Sequence, residues 1–121
     1  MPRVVHFEIS ADDPVRAVKF YSDVFGWEIQ KWDGPQEYWL VKTGEDGTPG
    51  INGGLFKRQG QVGHVNTIEV DDLDAYVGRA IANGGKIVVE KMAIPGIGWL
   101  VYCQDTEESI FGLMQMDASA K

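Results

Sequence analysis

Histidine and cysteine are scarce: the 121 residues include two of the former and one of the latter. A lone Cys103 cannot close a disulfide within the chain. It lies in an apolar strand pattern, where a thiol acts as a small buried hydrophobe rather than a nucleophile. Long apolar runs are lacking too, since none approaches the ~18 residues that a membrane-spanning helix needs. Met1-Pro2-Arg3 leads straight into a strand pattern without the apolar stretch of a signal peptide. A cytoplasmic protein with no membrane partner is expected. Positive charge is short as well, with 11 Lys and Arg against 18 Asp and Glu and a net charge of −7. Nucleic acid is therefore not an expected partner, because binding the phosphate backbone takes clustered cations. Neither Gly53-Gly54 nor Gly84-Gly85 stands in a strand–turn–helix arrangement followed by Lys-Ser or Lys-Thr, so a phosphate loop is absent.

Against these shortages, 44% of the residues are hydrophobic and four are tryptophan. A single domain of this size buries about two-thirds of its unfolded surface. The organising feature is a pattern written twice. Val4-Val5-His6-Phe7-Glu8-Ile9-Ser10-Ala11-Asp12-Asp13-Pro14 reads as a strand running into a helix, and Val65-Asn66-Thr67-Ile68-Glu69-Val70-Asp71-Asp72-Leu73 repeats it. In the first copy Val5, Phe7, Ile9 and Ala11 point one way and Val4, His6, Glu8 and Ser10 the other. The aspartates cap the helices, with Val18, Tyr21, Val24 and Phe25 on one apolar stripe and Leu73, Tyr76, Val77, Ala80 and Ile81 on the other.

Strand patterns follow the first helix at 27–32, 38–43 and 51–57, and the second at 86–92, 99–103 and 110–116. The fold class is thus α+β, with two βαβββ modules in one chain and the sheets curled around a shared cleft. The modules span 1–58 and 64–116, joined by a linker over 59–63 and followed by a frayed tail over 117–121.

This arrangement resembles the vicinal oxygen chelate superfamily of glyoxalases, bleomycin resistance proteins and extradiol dioxygenases. The residues that carry the likeness are His6-Phe7-Glu8-Ile9, Ala17–Tyr21 leading to Phe25-Gly26-Trp27, and Ile68-Glu69-Val70-Asp71-Asp72. Ala82–Lys86, Asp105-Thr106-Glu107 and Phe111-Gly112-Leu113-Met114-Gln115 extend it along nearly the whole chain. Within the superfamily the pattern is similar to glyoxalase-like proteins built from one or two such modules. The resemblance implies pairing as a homodimer and a small organic ligand. It does not specify a reaction, because the fold hosts lyases, epimerases, dioxygenases and drug binders.

The metal-dependent members of that superfamily place His, His or Glu, His and Glu on four cleft-facing strand positions, so that a divalent ion can polarise a substrate carbonyl. Carried over by position, these fall at His6, Gly54, Val65 and Gly112. Three carry no donor side chain. His64 is one residue early, which in a strand turns the side chain to the opposite face unless a bulge near Gly63 intervenes. The expectation is a binding protein that has lost the inherited metal site and needs no cofactor, His6 being the one residue left as a metal candidate. A metal-dependent lyase or dioxygenase using His6, and a drug-sequestering module of the bleomycin-resistance kind, are the competing readings. A divalent metal enters only if the strand register is misread.

The candidate ligand-binding residues are His6, Glu8, Asn52, Thr67 and Glu69 as polar groups and Trp39 and Trp99 as aromatic walls. Gly54 and Gly112 join them as small residues that widen the cleft.

Overall fold

A computed structural model describes residues 2–60 and 63–121; Met1, Gln61 and Val62 lie outside the described residues, so the expected linker is described only in part. The elements run β1 (Arg3–Ala11), α1 (Pro14–Phe25), β2 (Glu28–Lys31), β3 (Tyr38–Lys42), β4 (Gly53–Lys57), β5 (His64–Glu69), α2 (Leu73–Ala82), β6 (Lys86–Ile94), β7 (Gly98–Gln104) and β8 (Ile110–Met116). This is the α+β, twice-written βαβββ order. Contacts divide the chain into one unit over His6–Val65 and another that combines its start, up to Val5, with Asn66–Lys121.

In the first unit the strand order is β2-β3-β4-β1. The hairpins β2–β3 and β3–β4 are antiparallel, and β1 closes the set in parallel with β4, Glu8 opposite Gly54 and Ile9 opposite Leu55. The second unit repeats the scheme as β5-β8-β7-β6, with β5 parallel to β8 and Thr67 opposite Gly112.

Both helices begin as their aspartates dictate. The Asp13 carboxylate accepts from the Arg16 N–H at 3.2 Å and Asp72 accepts from Ala75 N–H at 3.2 Å, each satisfying one of the amides that the first turn leaves unpaired. Pro14 occupies the first turn of α1, where a missing N–H costs nothing, and Gly26 ends the helix with a φ of 71°.

Strand alternation then decides which side takes the core. Ile9, Ala11, Trp39, Val41 and Leu55 form a buried cluster, with Ala17, Val18 and Tyr21 of α1 packed on it. In the second unit Val70, Leu73, Val101, Cys103 and Leu113 do the same, with Tyr76 and Val77 of α2. Burial pushes the Cys103 thiol above its ordinary range, which keeps it protonated and unreactive.

The helix stripes are narrower than the spacing implies. Val24 and Ile81 are 55% and 52% exposed, because at 100° per residue each falls at the margin of the face centred on its neighbours. The tail over 117–121 also departs from expectation, since it is docked rather than frayed. Asp117 accepts the Trp99 indole N–H at 3.0 Å, the Ala120 carbonyl accepts from Gly96 N–H at 2.9 Å, and Ala120 is buried. No described helix is long and apolar enough to cross a membrane.

Candidate functional site

Strand β1 leaves its helix face apolar and its other face polar, and that second face is where chemistry-bearing side chains meet. Glu8 and Ser10 are buried there, and His6 is half-buried. A buried carboxylate must find donors. Tyr38 on β3 provides one: its hydroxyl donates to Glu8 Oε2 at 2.9 Å, while His6 Nε2 lies 2.9 Å from that hydroxyl's own oxygen. Since the phenolic proton points at Glu8, the imidazole is the donor in the second bond. His6 is thus held as the Nε2–H tautomer, with Nδ1 as an acceptor.

Glycine makes this line of three possible. Gly54 faces Glu8 across the β1–β4 pair and Leu40 across the β3–β4 pair. A Cβ on Gly54 would overlap the hydroxyl and ring carbons of Tyr38. The space a larger residue would fill is the space the phenol occupies. Around it Tyr38 stacks on Phe56, with centroids 6.3 Å apart, and meets the edge of Trp32 at 6.1 Å. The flanking Ser10 hydroxyl donates to the Gly63 carbonyl at 3.1 Å.

Burial lowers the His6 pKa from its ordinary 6.5, and the nearby Glu8 charge opposes this without overcoming it. The imidazole is therefore neutral at pH 7. The arrangement can accept and donate hydrogen bonds to a small molecule and can pass a proton between neighbouring oxygens and nitrogens.

His6, Glu8 and Gly54 are thus brought together as the sequence implies. In the second unit Thr67 and Gly112 are brought together likewise: the Thr67 hydroxyl lies 3.0 Å from where a Gly112 Cβ would be. Thr67 is buried and Glu69 half-buried. Three other candidates stand elsewhere. Trp39 belongs to the helix-side core with Ile9 and Leu55, and Trp99 packs against the second core while bonded to Asp117. The sequence offers both as aromatic walls of the binding cleft; alternation turns Tyr38 to the polar face and Trp39 to the core. Asn52 serves its loop, its side-chain oxygen accepting from the Thr43 N–H at 2.9 Å. His64 is exposed next to buried Val65, and exposure alternates regularly onward to Thr67.

Comparison with known proteins bears on this geometry. The family model for the bleomycin resistance protein-like N-terminal region matches residues 3–44, which include His6, Glu8 and Tyr38. A glyoxylase-like domain-containing protein of Didymella fabae is 33% identical over 110 residues, covering 83% of both chains. The chain belongs to the glyoxalase/bleomycin resistance/dioxygenase superfamily. A longer relative of this glyoxalase-like chain, the candidate glyoxylase CFP32 of Mycobacterium bovis, is 28% identical over 110 residues; the chain spans 42% of its length. Among solved structures, methylmalonyl-CoA epimerase from Mycobacterium tuberculosis superposes with a TM-score of 0.69 at 16% identity, over 94% of this chain and 87% of that one. A superfamily member from Vibrio splendidus 12B01 gives 0.66 at 21%, over 93% and 97%. At such identities these two speak for the fold alone.

Metal-dependent members of the superfamily need three or four converging donors. The positions to compare hold His6, Gly54, Val65 and Gly112, and the space beside Gly54 is taken by Tyr38. Among the described residues no group of three or more His, Cys, Asp or Glu converges as an ion site. Of those four positions, His6 alone carries a donor side chain.

Two outcomes test this geometry. Gly54→Ala is expected to lower unfolding free energy by about 1–3 kcal/mol in urea melts, as overpacking does, and to cost much less in a Tyr38→Ala background, where the clash is gone. The imidazole has its own signature. Below pH 6.5 the unfolded chain takes up a proton that native His6 refuses, so stability is full above that pH and declines as pH falls through the lower folded value. NMR titration of the ring should find its midpoint below 6.5, and lower still in Glu8→Gln, which removes the opposing charge.

Proposed function

We propose that this glyoxalase-like protein binds a small organic molecule on the polar face of β1 and β4, and that a His6–Tyr38–Glu8 hydrogen-bonded line has replaced the inherited metal site. The observation that carries the reading is the Tyr38 hydroxyl lying 2.9 Å from both His6 Nε2 and Glu8 Oε2, in space that only a glycine at position 54 leaves free. A neutral imidazole and a carboxylate joined through a phenol favour a ligand that presents a hydrogen-bond donor. Trp32, Tyr38 and Phe56 supply flat apolar surface beside them, since Trp39 and Trp99 lie with the cores. Thr67, Glu69 and Gly112 are the corresponding polar and small residues of the second unit. The reading takes a cytoplasmic protein with a second copy of itself as partner and no resident cofactor.

Metal stoichiometry tests the central point. Chelator-stripped protein is loaded separately with Mn, Fe, Co, Ni and Zn, freed of excess, and assayed for bound ion. The expected value is near zero for every ion. One equivalent per chain, lost in His6→Ala, overturns the reading in favour of a metal-dependent lyase or dioxygenase. Sedimentation should give twice the chain mass of 13.4 kDa; a monomer at every concentration refutes the paired state.

A further inference from the structure

The two copies of the βαβββ unit differ in how they fill the space beside their helices. Eight residues beyond its N-cap, α1 carries Tyr21, whose ring stacks on Trp27 at 5.3 Å and 4° as part of a cluster with Phe7 and Phe25. Eight residues beyond its own N-cap, α2 carries Ala80. Phe25 and Trp27 have Gly84 and Lys86 as their counterparts by the same count, and Phe7 has Asn66. None of these four counterparts is aromatic.

In the second unit lies an apolar groove of about 330 Å³, at the lower end of the ~300–1,000 Å³ typical of small-ligand sites. Ile68 and Val70 of β5, Phe111 and Leu113 of β8, and Tyr76 and Ala80 of α2 line it, together with Pro2. Arg79 is the one charged residue of this almost wholly apolar lining. That guanidinium lies 4.5 Å from the centre of the Tyr76 ring and makes no ion pair among the described residues. Such a placement is unusual in a chain where 18 acidic residues face 11 basic ones.

We propose that this groove is a binding site for a small apolar carboxylate, an aryl or medium-chain alkyl acid. The apolar body would lie over Ala80, Ile68 and Phe111, with its carboxylate paired to Arg79. Charge complementarity selects the acid: Arg79 offers a planar fork of donors matched to a carboxylate, and the rest of the lining carries no charged side chain. The groove shares no residue with the His6–Tyr38–Glu8 line, so the two proposals stand or fall independently.

The test uses the whole chain, ¹⁵N-labelled, titrated with 2-naphthoate and with the uncharged 2-naphthalenemethanol. The expected result is saturable shifts at the amides of Ile68, Val70, Tyr76–Ala80, Phe111 and Leu113, with naphthoate binding about tenfold more tightly than the alcohol. Arg79→Gln, a surface change that leaves the core intact, should remove that tenfold preference and leave the alcohol unaffected. Ala80→Tyr, which restores the ring of the first unit, should abolish binding of both. No saturable shifts with naphthoate, shifts confined to the His6 face, or a preference for the acid that survives in Arg79→Gln each overturn the proposal.

Discussion

Burying Glu8 sets the terms for the first unit. A carboxylate withdrawn from water costs several kcal/mol unless charge-assisted hydrogen bonds replace its hydration, and β1 places it beside a strand that offers only a glycine opposite. One compensating donor comes from the strand beyond β4, where Tyr38 reaches across to supply it. That reach needs room, which fixes residue 54 as glycine. It also draws His6 into the same line and fixes the imidazole tautomer, while burial of the ring keeps it neutral against the pull of the Glu8 charge. One desolvated charge therefore ties together three strands, a small residue and a titratable ring.

Those parts that depend on local order were legible in the chain. The alternation from Val4 to Ala11, the two aspartate caps and the repeated βαβββ order are written in consecutive residues, and the structure follows them. The polar character of His6 and Glu8 was legible for the same reason. Tyr38 was not, because its role rests on the register of β3 against β4 and of β4 against β1, which no stretch of sequence displays. Trp39 is the larger aromatic, but adjacent strand residues point to opposite faces, so a site containing Tyr38 leaves Trp39 to the core. The cue is a glycine on the strand that lies between those of Glu8 and Tyr38. Asn52 and the tail illustrate a second blind spot: small polar residues look like ligands or loose ends until the loop they tie, or the indole they accept from, is in view.

Duplication also shows how one plan accommodates two kinds of interior. The first unit spends its aromatic residues beside α1, stacking Tyr21, Phe25 and Trp27 into a solid block. Matching positions in the second unit are small or polar, and its core closes with aliphatic residues and Cys103. Yet hairpin-to-tryptophan contacts are kept in both: Lys31 lies over Trp39 at 5.6 Å and Lys91 over Trp99 at 5.7 Å. What the two copies share is the frame of strands, caps and cation-covered indoles; what they do not share is the filling.

The parallel pairings carry a consequence for how the chain reaches this state. Phe7 pairs with Gly53 and Asn66 with Phe111, so each unit is sealed by strands that are distant along the chain. Helix turns and hairpins can assemble on the microsecond scale, but such closures must first meet the entropy of a long loop, which places folding in the slow, high-contact-order class. Until β1 docks on β4, the edge of β4 stays open and the polar line has no first strand to stand on. Newly made chains would thus pass through a stage with exposed strand edges, when crowding and prolonged delay carry the greatest risk of association between molecules.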